Sequence, residues 1–527
     1  MAVNSLSVFL INTNEVERYS ELVVDDCRRS KLDIDDGTLF YRIKKDENYP
    51  SWVDGFFGQA KLGENRKKFK TKTVAAVYFT SINWNRQRVI FAIAFGSGRY
   101  LIKQEYIKRE FGLDTSRHAI DASRISSMST ITYDSGIKNK TIQSVAEISQ
   151  NDFFLNANTD VLTAVKGKTR DNLGSDLLQD RTIGGRDSVS ITAKVDVNNI
   201  KAFLLALFTQ YKSNGAAGVR YESNIRKLAT DAAIQHAERL LETLLQSDQR
   251  GEKAFLNLPL EELKEDTVVR GYVVNDEDEK SSLTDDFFDR YHTVQLLQQT
   301  YVRVNFEDEN KPALVKPLYQ FVYAEIENDD DCIILAGGQF YKVVKRYKRA
   351  VDTFYDEVEV GTILNLGQWN GEDEGVFNSN QTADNILVMD KKLVYPEGVD
   401  KFEFCDLLTS EKQIVHAKIF GSASQSLGHL FNQGLVSARC MTDDAIRVKI
   451  NEKIREKQQE LAKARDFSIP QNVNVSDYKV TFLILCKDHA RIDANGRPKI
   501  PFLAKAVFKE NITAIRNMGY HVTIVAL

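Results

Sequence analysis

The chain has 527 residues, 43% hydrophobic and 27% charged, with a formal net charge of −4 at pH 7. That length holds two to four domains with sizeable cores, and the charge balance excludes a protein basic throughout, so any contact with nucleic acid must come from local patches. The absence of a long uninterrupted apolar run excludes an ordinary helical membrane span, and the opening MAVNSLSVFLINTNEVERYS has no charged n-region and does not read as a secretory signal.

In chain order, residues 6–11 and 37–43 read as strands flanking a short helix. Tyr49-Pro50-Ser51-Trp52 punctuates the chain before a basic stretch from Lys61 to Lys72. VAAVYFTSI (74–82) and VIFAIAF (89–95) predict a buried hairpin turning through Asn83–Arg88. The Gly96-Ser97-Gly98-Arg99 loop that follows has amides for a phosphate but lacks the spacing of a nucleotide-binding loop, which favours a tight turn. Residues 114–195 are polar with scattered glycines, predicting short strands and loops. Helical spacing dominates 197–248, where His236 sits on a charged, solvated face, and 255–310 mixes helix and strand in an acidic background. The expected organisation is an N-terminal mixed α/β domain (1–195), a mostly helical middle region (196–310) and a C-terminal mixed-sheet domain (311–527) opening near Lys311-Pro312. The fold class is mixed α+β.

In the C-terminal part, FVYAEIE (321–327) and CIILAGGQFYKVV (332–344) predict paired strands. Lys342, Lys345, Arg346, Lys348 and Arg349 then form a basic cluster with Tyr341 and Tyr347 interleaved. Cations beside aromatic rings suit a nucleic-acid strand, whose phosphates and bases each find a partner; one face of a solvated amphipathic helix has the same composition. Glu374 lies at an expected helix start, and the strand NILVMD ends at Asp390 before a turn at Pro396-Glu397-Gly398.

The most informative stretch is FEFCDLLTSEKQIVHAKIFGSASQSLGHLFNQ (402–433). Its first apolar run carries Glu403 and Asp406, it turns through Thr409–Lys412, and its second run, Ile414–Phe420, presents His416 and Lys418 on one side by period-two alternation. A Ser-rich break (Ser422, Ser424, Ser426) caps a helix holding His429 and Gln433. A strand ending in a carboxylate, a hairpin and a strand carrying lysine make a compact place for a divalent cation beside a phosphate, since hard cations want oxygen ligands and a lysine steadies negative charge. The five cysteines (Cys27, Cys332, Cys405, Cys440, Cys486) are odd in number, far apart and without a CxxC, so neither disulfides nor a thiolate zinc site is expected and a reducing cytoplasm is the expected location. Cys405 is expected in the core.

Beyond the motif, 443–466 predicts a helix dense in charge, solvated or touching DNA through Arg447, Lys449, Lys453 and Arg455. YKVTFLILC (478–486), FLAKAVFKENITAIRNMG and HVTIVAL predict strand, helix and strand joined by a right-handed crossover, adding parallel strands to one mixed sheet.

The 402–433 stretch resembles the core of restriction-endonuclease-like (PD-(D/E)xK) nucleases, in which an Asp and a Glu-x-Lys flank a metal and a nearby helix offers a Gln. The resemblance implies Asp406 as metal ligand with Asp390 or Glu374, Lys418 positioning the attacking water, Gln433 on the helix, and a divalent metal, Mg²⁺ or Mn²⁺. It departs at His416, which stands where Glu is expected and would serve as general base or ligand; imidazole suits Mn²⁺, Fe²⁺ or Zn²⁺ better than Mg²⁺. Over nearly its whole length, through FAIAFGSGRYLI, DFFLNANTDVLTAVKG, GGQFYKV, EGVFN, IVHAKIFGSASQSLGHLFNQGLVSA and IPFLAKAVF, the chain also resembles a sporadically distributed family of bacterial proteins of unknown function, except that Gly428 replaces a Ser. That resemblance implies a mobile gene kept near restriction and phage-defence loci.

Three readings follow. The first is a metal-dependent nuclease of an anti-phage system, acting on DNA ahead of RNA, with no membrane partner and a homo-oligomer left open. The second is a non-catalytic nucleic-acid-binding or sensor protein that keeps the fold. The third, from His416-x-Lys418, is a phospholipase-D-type phosphodiesterase in which the histidine attacks phosphorus.

Overall fold

The two apolar runs near Val77 and Phe91 become the antiparallel strands Lys72–Trp84 and Gln87–Phe95. They turn at Asn85 and Arg86, both at positive φ (49° and 67°), the pair of left-handed residues that lets a two-residue turn follow strand twist. The computed structural model describes the chain except residues 1–3, 14, 31–36, 46–71, 134–136, 172, 214–217, 229, 259–267, 276, 285, 308–312, 329–330, 396–400, 421–423 and 488–490. The basic run from Lys61, the Tyr49–Trp52 segment, the Lys311-Pro312 boundary, the Pro396-Glu397-Gly398 turn and Ser422 fall outside the described residues. Among those described, no helix is long and apolar enough to cross a membrane.

Two compact units divide the chain: Met1–Ile131 with Asn139–Asn156 and Val161–Glu222, and Thr132–Lys138 with Ala157–Asp160 and Ser223–Leu527. In the first, the hairpin is part of a ten-stranded sheet ordered Arg28–Arg29, Thr38–Lys45, Lys72–Trp84, Gln87–Phe95, Asn4–Leu10, Ser188–Ala193, Thr182–Gly185, Asp160–Thr169, Ile120–Tyr133, Ile137–Ile148. Alternation sorts its side chains. Leu6, Val8, Leu10, Phe91 and Ile93 pack with the helices Phe111–Ala119 and Ile200–Lys212, whereas Phe9, Val77, Phe79, Ile90 and Ala92 pack with Leu22 and Leu101 on the other face. The Gly96–Arg99 loop is a tight turn, as its spacing predicts. A Cβ on Gly98 would run into the Ala76 carbonyl, so the close approach of two backbones explains the glycine. The polar stretch after residue 114 holds longer strands than expected, Ile120–Tyr133 and Ile137–Ile148, the first of them anchored by buried Ile120, Ile125, Met128 and Ile131.

Among the described residues the second unit contains three larger sheets and a two-stranded ladder. Ile225–Lys227, Gln339–Val343, Cys332–Ala336, Val322–Glu327 and Ala254–Leu256 form a five-stranded antiparallel sheet, and Val269–Val274, Tyr301–Phe306 and Leu314–Pro317 form a three-stranded one. The third is a six-stranded mixed sheet ordered Glu359–Val360, His521–Ala526, Lys479–Cys486, Gln413–Phe420, Leu407–Thr409, Ile386–Val388. Its last three strands form an antiparallel meander, and Gln413–Phe420, Lys479–Cys486, His521–Ala526 and Glu359–Val360 run parallel, as the strand–helix–strand pattern predicts. One face packs Phe420, Phe482 and Ile524 under the helices Ser424–Thr442 and Phe502–Asn517; the other packs Leu407, Val415, Ala417 and Leu483 with Phe377 of the helix Glu374–Ser379.

Two sequence expectations differ from this layout. The segment 196–310 is shared: Ile200–Lys212 covers the first unit's sheet, while Ile225–Lys227, Ala254–Leu256 and Val269–Val274 are strands of the second. Residues 321–344 enter the five-stranded sheet and not the mixed one. An apolar run announces a strand, but its partner is chosen by contacts far away in sequence.

Helix Phe502–Asn517 has no acidic residue in its own first turn; the N–H groups of Phe502 and Leu503 donate to the strand carboxylates Glu327 (2.9 Å) and Glu325 (3.0 Å). Glu325 is fully buried and also accepts from the Tyr323 hydroxyl at 2.9 Å. Removing it strands two buried donors. Glu325→Leu should therefore lower the stability of this unit by about 2–4 kcal/mol, read as a shift of the denaturant midpoint followed by circular dichroism, with Glu325→Gln losing less. An unchanged midpoint in Glu325→Leu would contradict this role.

Candidate metal centre

The strand Gln413–Phe420 outruns its antiparallel neighbour, which pairs only as far as Leu407 with Val415. Beyond that point the edge N–H groups of Ala417 and Ile419 have no strand to receive them. Two carboxylates take the place of the missing strand. Asp406 Oδ2 accepts from Ala417 N–H at 2.8 Å and Glu374 Oε2 accepts from Ile419 N–H at 3.1 Å. Asp406 is itself fixed by its backbone, which donates to Val415 and accepts from Met389.

The expected continuous strand 402–408 breaks here. Phe402–Glu403 pairs with Leu393–Val394 in a separate ladder, and Leu407–Thr409 joins the mixed sheet. The bend between them brings Glu403 and Asp406 together although an unbroken strand would send them to opposite faces. Asp390, Glu403 and Asp406 place carboxylate oxygens within 4.8 Å of one another. Glu403 is held by the Lys391 backbone N–H, and Lys391 is at positive φ (58°). Asn378, completely buried, turns its Nδ2 toward Asp390 Oδ1 at 3.4 Å, and its own Oδ1 is buried without a hydrogen-bond partner. Lys418 reaches Glu374 Oε1 at 3.1 Å.

Crowding acids in a buried place works against ionisation. Burial first, then the charges of Glu403, Asp390 and Glu374, push the Asp406 carboxyl up to about 8 despite the Ala417 hydrogen bond. Burial also raises Glu403, with Asp390 and Glu374 adding to it and the Lys391 N–H opposing. The donor set fits a hard divalent cation: three convergent carboxylates that repel one another, offering oxygen alone.

Of the expected site residues, Asp406, Asp390, Glu374 and Lys418 come together. His416 stands apart from them: it is 1% exposed, its ring lies against Phe482 (centroids 6.3 Å), its Nε2 has no partner, and burial holds it down to about 3. Strand alternation gives it the side of Lys418, but at His416 that side is buried against Phe482. Gln433 is half-buried on Ser424–Thr442 and gives no hydrogen bond to the cluster. Glu403 and Asn378 are the additions. Glu403 was visible as a carboxylate in the motif, but the strand break that aims it was not; nothing in the sequence marks Asn378.

The basic cluster is not one surface. Lys348 is 4% exposed and bonds Asp352 at 2.8 Å, and Asp352 also binds Lys505 at 2.8 Å; Lys348 is therefore a core ion pair and not a phosphate contact. Lys342 and Lys345 lie 2.9 and 3.7 Å from Asp331. Lys345, Arg346 and Arg349 are exposed on the helix Lys345–Asp356. Arg447, too, is buried, donating to the carbonyls of Met441 and Gln471, while Lys449 and Lys453 pair with Glu452 and Glu456. Cys405 is fully buried, as expected, and all five cysteines are free.

Residues 6–526 match the model of a family of unknown function (DUF6119), and the chain belongs to that family. No curated protein and no solved structure matches it.

A carboxyl whose folded value lies above its unfolded value, about 3.9 for Asp, contributes stability that is full below the unfolded value and lost as pH rises to the folded one. Without divalent cations the unit's melting temperature should thus fall between about pH 4 and pH 8, on account of Asp406. Asp406→Asn should flatten that slope, and Mg²⁺ or Mn²⁺ should raise the melting temperature of the parent most at high pH. Parallel pH profiles for parent and variant would remove the assignment.

Proposed function

We propose that this protein is a metal-dependent phosphodiesterase acting on nucleic acid, DNA ahead of RNA. The observation that carries the reading is the convergence of Asp390, Glu403 and Asp406 beside Lys418 at the uncovered edge of one strand. The order of elements supports it: a short helix, an antiparallel meander, a covering helix and then parallel strands, the order on which PD-(D/E)xK-like cores are built. A divalent cation, when bound, supplies Lewis acidity toward a phosphoryl oxygen. Asp390, Glu403 and Asp406 would hold it, with the Asn378 amide positioning Asp390. Asp406 would give up its proton on becoming a ligand. Lys418, fixed by Glu374, would set its side-chain amine where negative charge grows on the phosphate. A part in defence against phage is what the sporadic distribution of similar proteins would imply, and it belongs to this proposal.

The second reading, a non-catalytic nucleic-acid-binding or sensor protein, has one observation in its favour: the position of the usual Glu is His416, buried against Phe482. The same burial gives no support to a histidine nucleophile.

Purified protein incubated with plasmid, linear DNA and RNA under Mg²⁺ or Mn²⁺ separates the two. Cleavage should appear with the parent and fall by about 100-fold or more in Asp406→Asn and in Lys418→Met, with nucleic-acid affinity little changed. Arg346→Glu should instead weaken binding and reduce its salt slope by about one. Cleavage at parental rate by Asp406→Asn would end the proposal; binding without any cleavage by the parent would favour the sensor.

A further inference from the structure

Lys391 stands beside the acidic centre on a backbone that does not favour it. The turn Met389–Lys392 closes with the Lys392 N–H on the Met389 carbonyl at 3.0 Å, and Lys391 is third in it, at φ 58°. Glycine takes that conformation without strain. A glycine would still offer its N–H to Glu403, but not the side chain. That side chain runs back to the carboxylates. Its Nζ lies 3.9 Å from Asp390 Oδ2, and so near Gly375 that a Cβ there would come within 2.9 Å of it. The pair is loose: 3.9 Å is beyond hydrogen-bond reach and the Lys391 side chain is 80% exposed, whereas Lys418 reaches Glu374 at 3.1 Å. A divalent cation taken up by Asp390 would displace the amine, since two cations repel across one carboxylate. The freed side chain is then at the rim of the centre, where a polyanion lying on the metal passes.

Resting on the metal-centre reading above, we propose that Lys391 is a phosphate contact released by the metal. Without a divalent cation it pairs with Asp390; with one bound, it holds the nucleic-acid phosphate next to the one at the cation. Binding of cation and of substrate are coupled through this side chain.

Two variants separate the halves of this handover. Lys391→Gln removes the amine. Gly375→Ala keeps it but puts a methyl group where it lies, while the next atoms, Asp373 Oδ1 and Asp390 Oδ2, stay 3.4 and 3.7 Å away. Alanine also suits the helix Glu374–Ser379 better than glycine does, so this variant keeps its fold. Titration calorimetry of the full chain with Ca²⁺ alone, a cation that takes oxygen ligands, should show both variants binding about threefold tighter than the parent. Asp406→Asn should lose that binding. Anisotropy of a labelled DNA duplex with Ca²⁺, its integrity checked on a gel, should show Lys391→Gln weaker by about three- to tenfold, with a salt slope smaller by about one. Gly375→Ala should bind the duplex at least as well as the parent. Without divalent cations the loss in Lys391→Gln should shrink below about twofold. Parental Ca²⁺ affinity in either variant, or an equal loss of DNA affinity with and without Ca²⁺, would overturn the proposal. A parent that binds no Ca²⁺ would overturn the metal-centre reading, and this proposal with it.

Discussion

A strand edge closed by carboxylates is the constraint from which the second unit's site follows. Ala417 and Ile419 carry N–H groups past the end of their antiparallel partner, and a buried donor left unpaired costs about 1–3 kcal/mol. Asp406 and Glu374 satisfy them from two different segments, so the short helix at 374 and the hairpin at 406 are tied to the same few ångströms of strand. Asp390 and Glu403 then fall beside Asp406 because Met389 and the Leu393–Val394 ladder flank the same edge. The arrangement sets two effects against each other: the hydrogen bond from Ala417 favours a charged Asp406, while burial and three acidic neighbours disfavour it. Burial and repulsion prevail, and the proton retained there is one a cation can displace.

The site was partly legible because its residue types lie on strands whose patterns are local. The hairpin around residues 409–413, the parallel strands at 479–486 and 521–526, and the period-two relation of His416 to Lys418 all follow from alternation and turn chemistry. Burial of a polar residue does not. His416 reads as an available imidazole until Phe482, 66 residues later, is seen to pack on it, and Lys348 reads as a surface cation until Asp352 and Lys505 are seen around it. Glu403 was hidden for the opposite reason: a strand that breaks between Glu403 and Leu407 changes which side chains meet, and composition does not announce the break. Sheet membership was the least legible feature, since the strand Val322–Glu327 looks as ready to join the mixed sheet as the sheet it enters.

The two larger sheets of this unit are also connected through charge. Glu325 and Glu327 on one sheet cap the helix that crosses to the other, and Lys505 of that helix shares Asp352 with Lys348. Such fully engaged buried groups fix one arrangement more firmly than apolar contact alone, since any shift leaves charges unpaired. The helix start is thereby set, and with it the strand His521–Ala526 that follows.

That strand lies inside the mixed sheet, between Glu359–Val360 and Lys479–Cys486, and not at its edge. On a ribosome, the strand Glu359–Val360 must therefore wait, with the place beside Lys479–Cys486 unfilled, until residues 521–526 have been made. The first unit draws on nothing beyond residue 222 and can close long before. Completion of the mixed sheet thus waits on its last strand, and the interval in which the flank of Lys479–Cys486 stands open is the interval in which a chaperone has most to do.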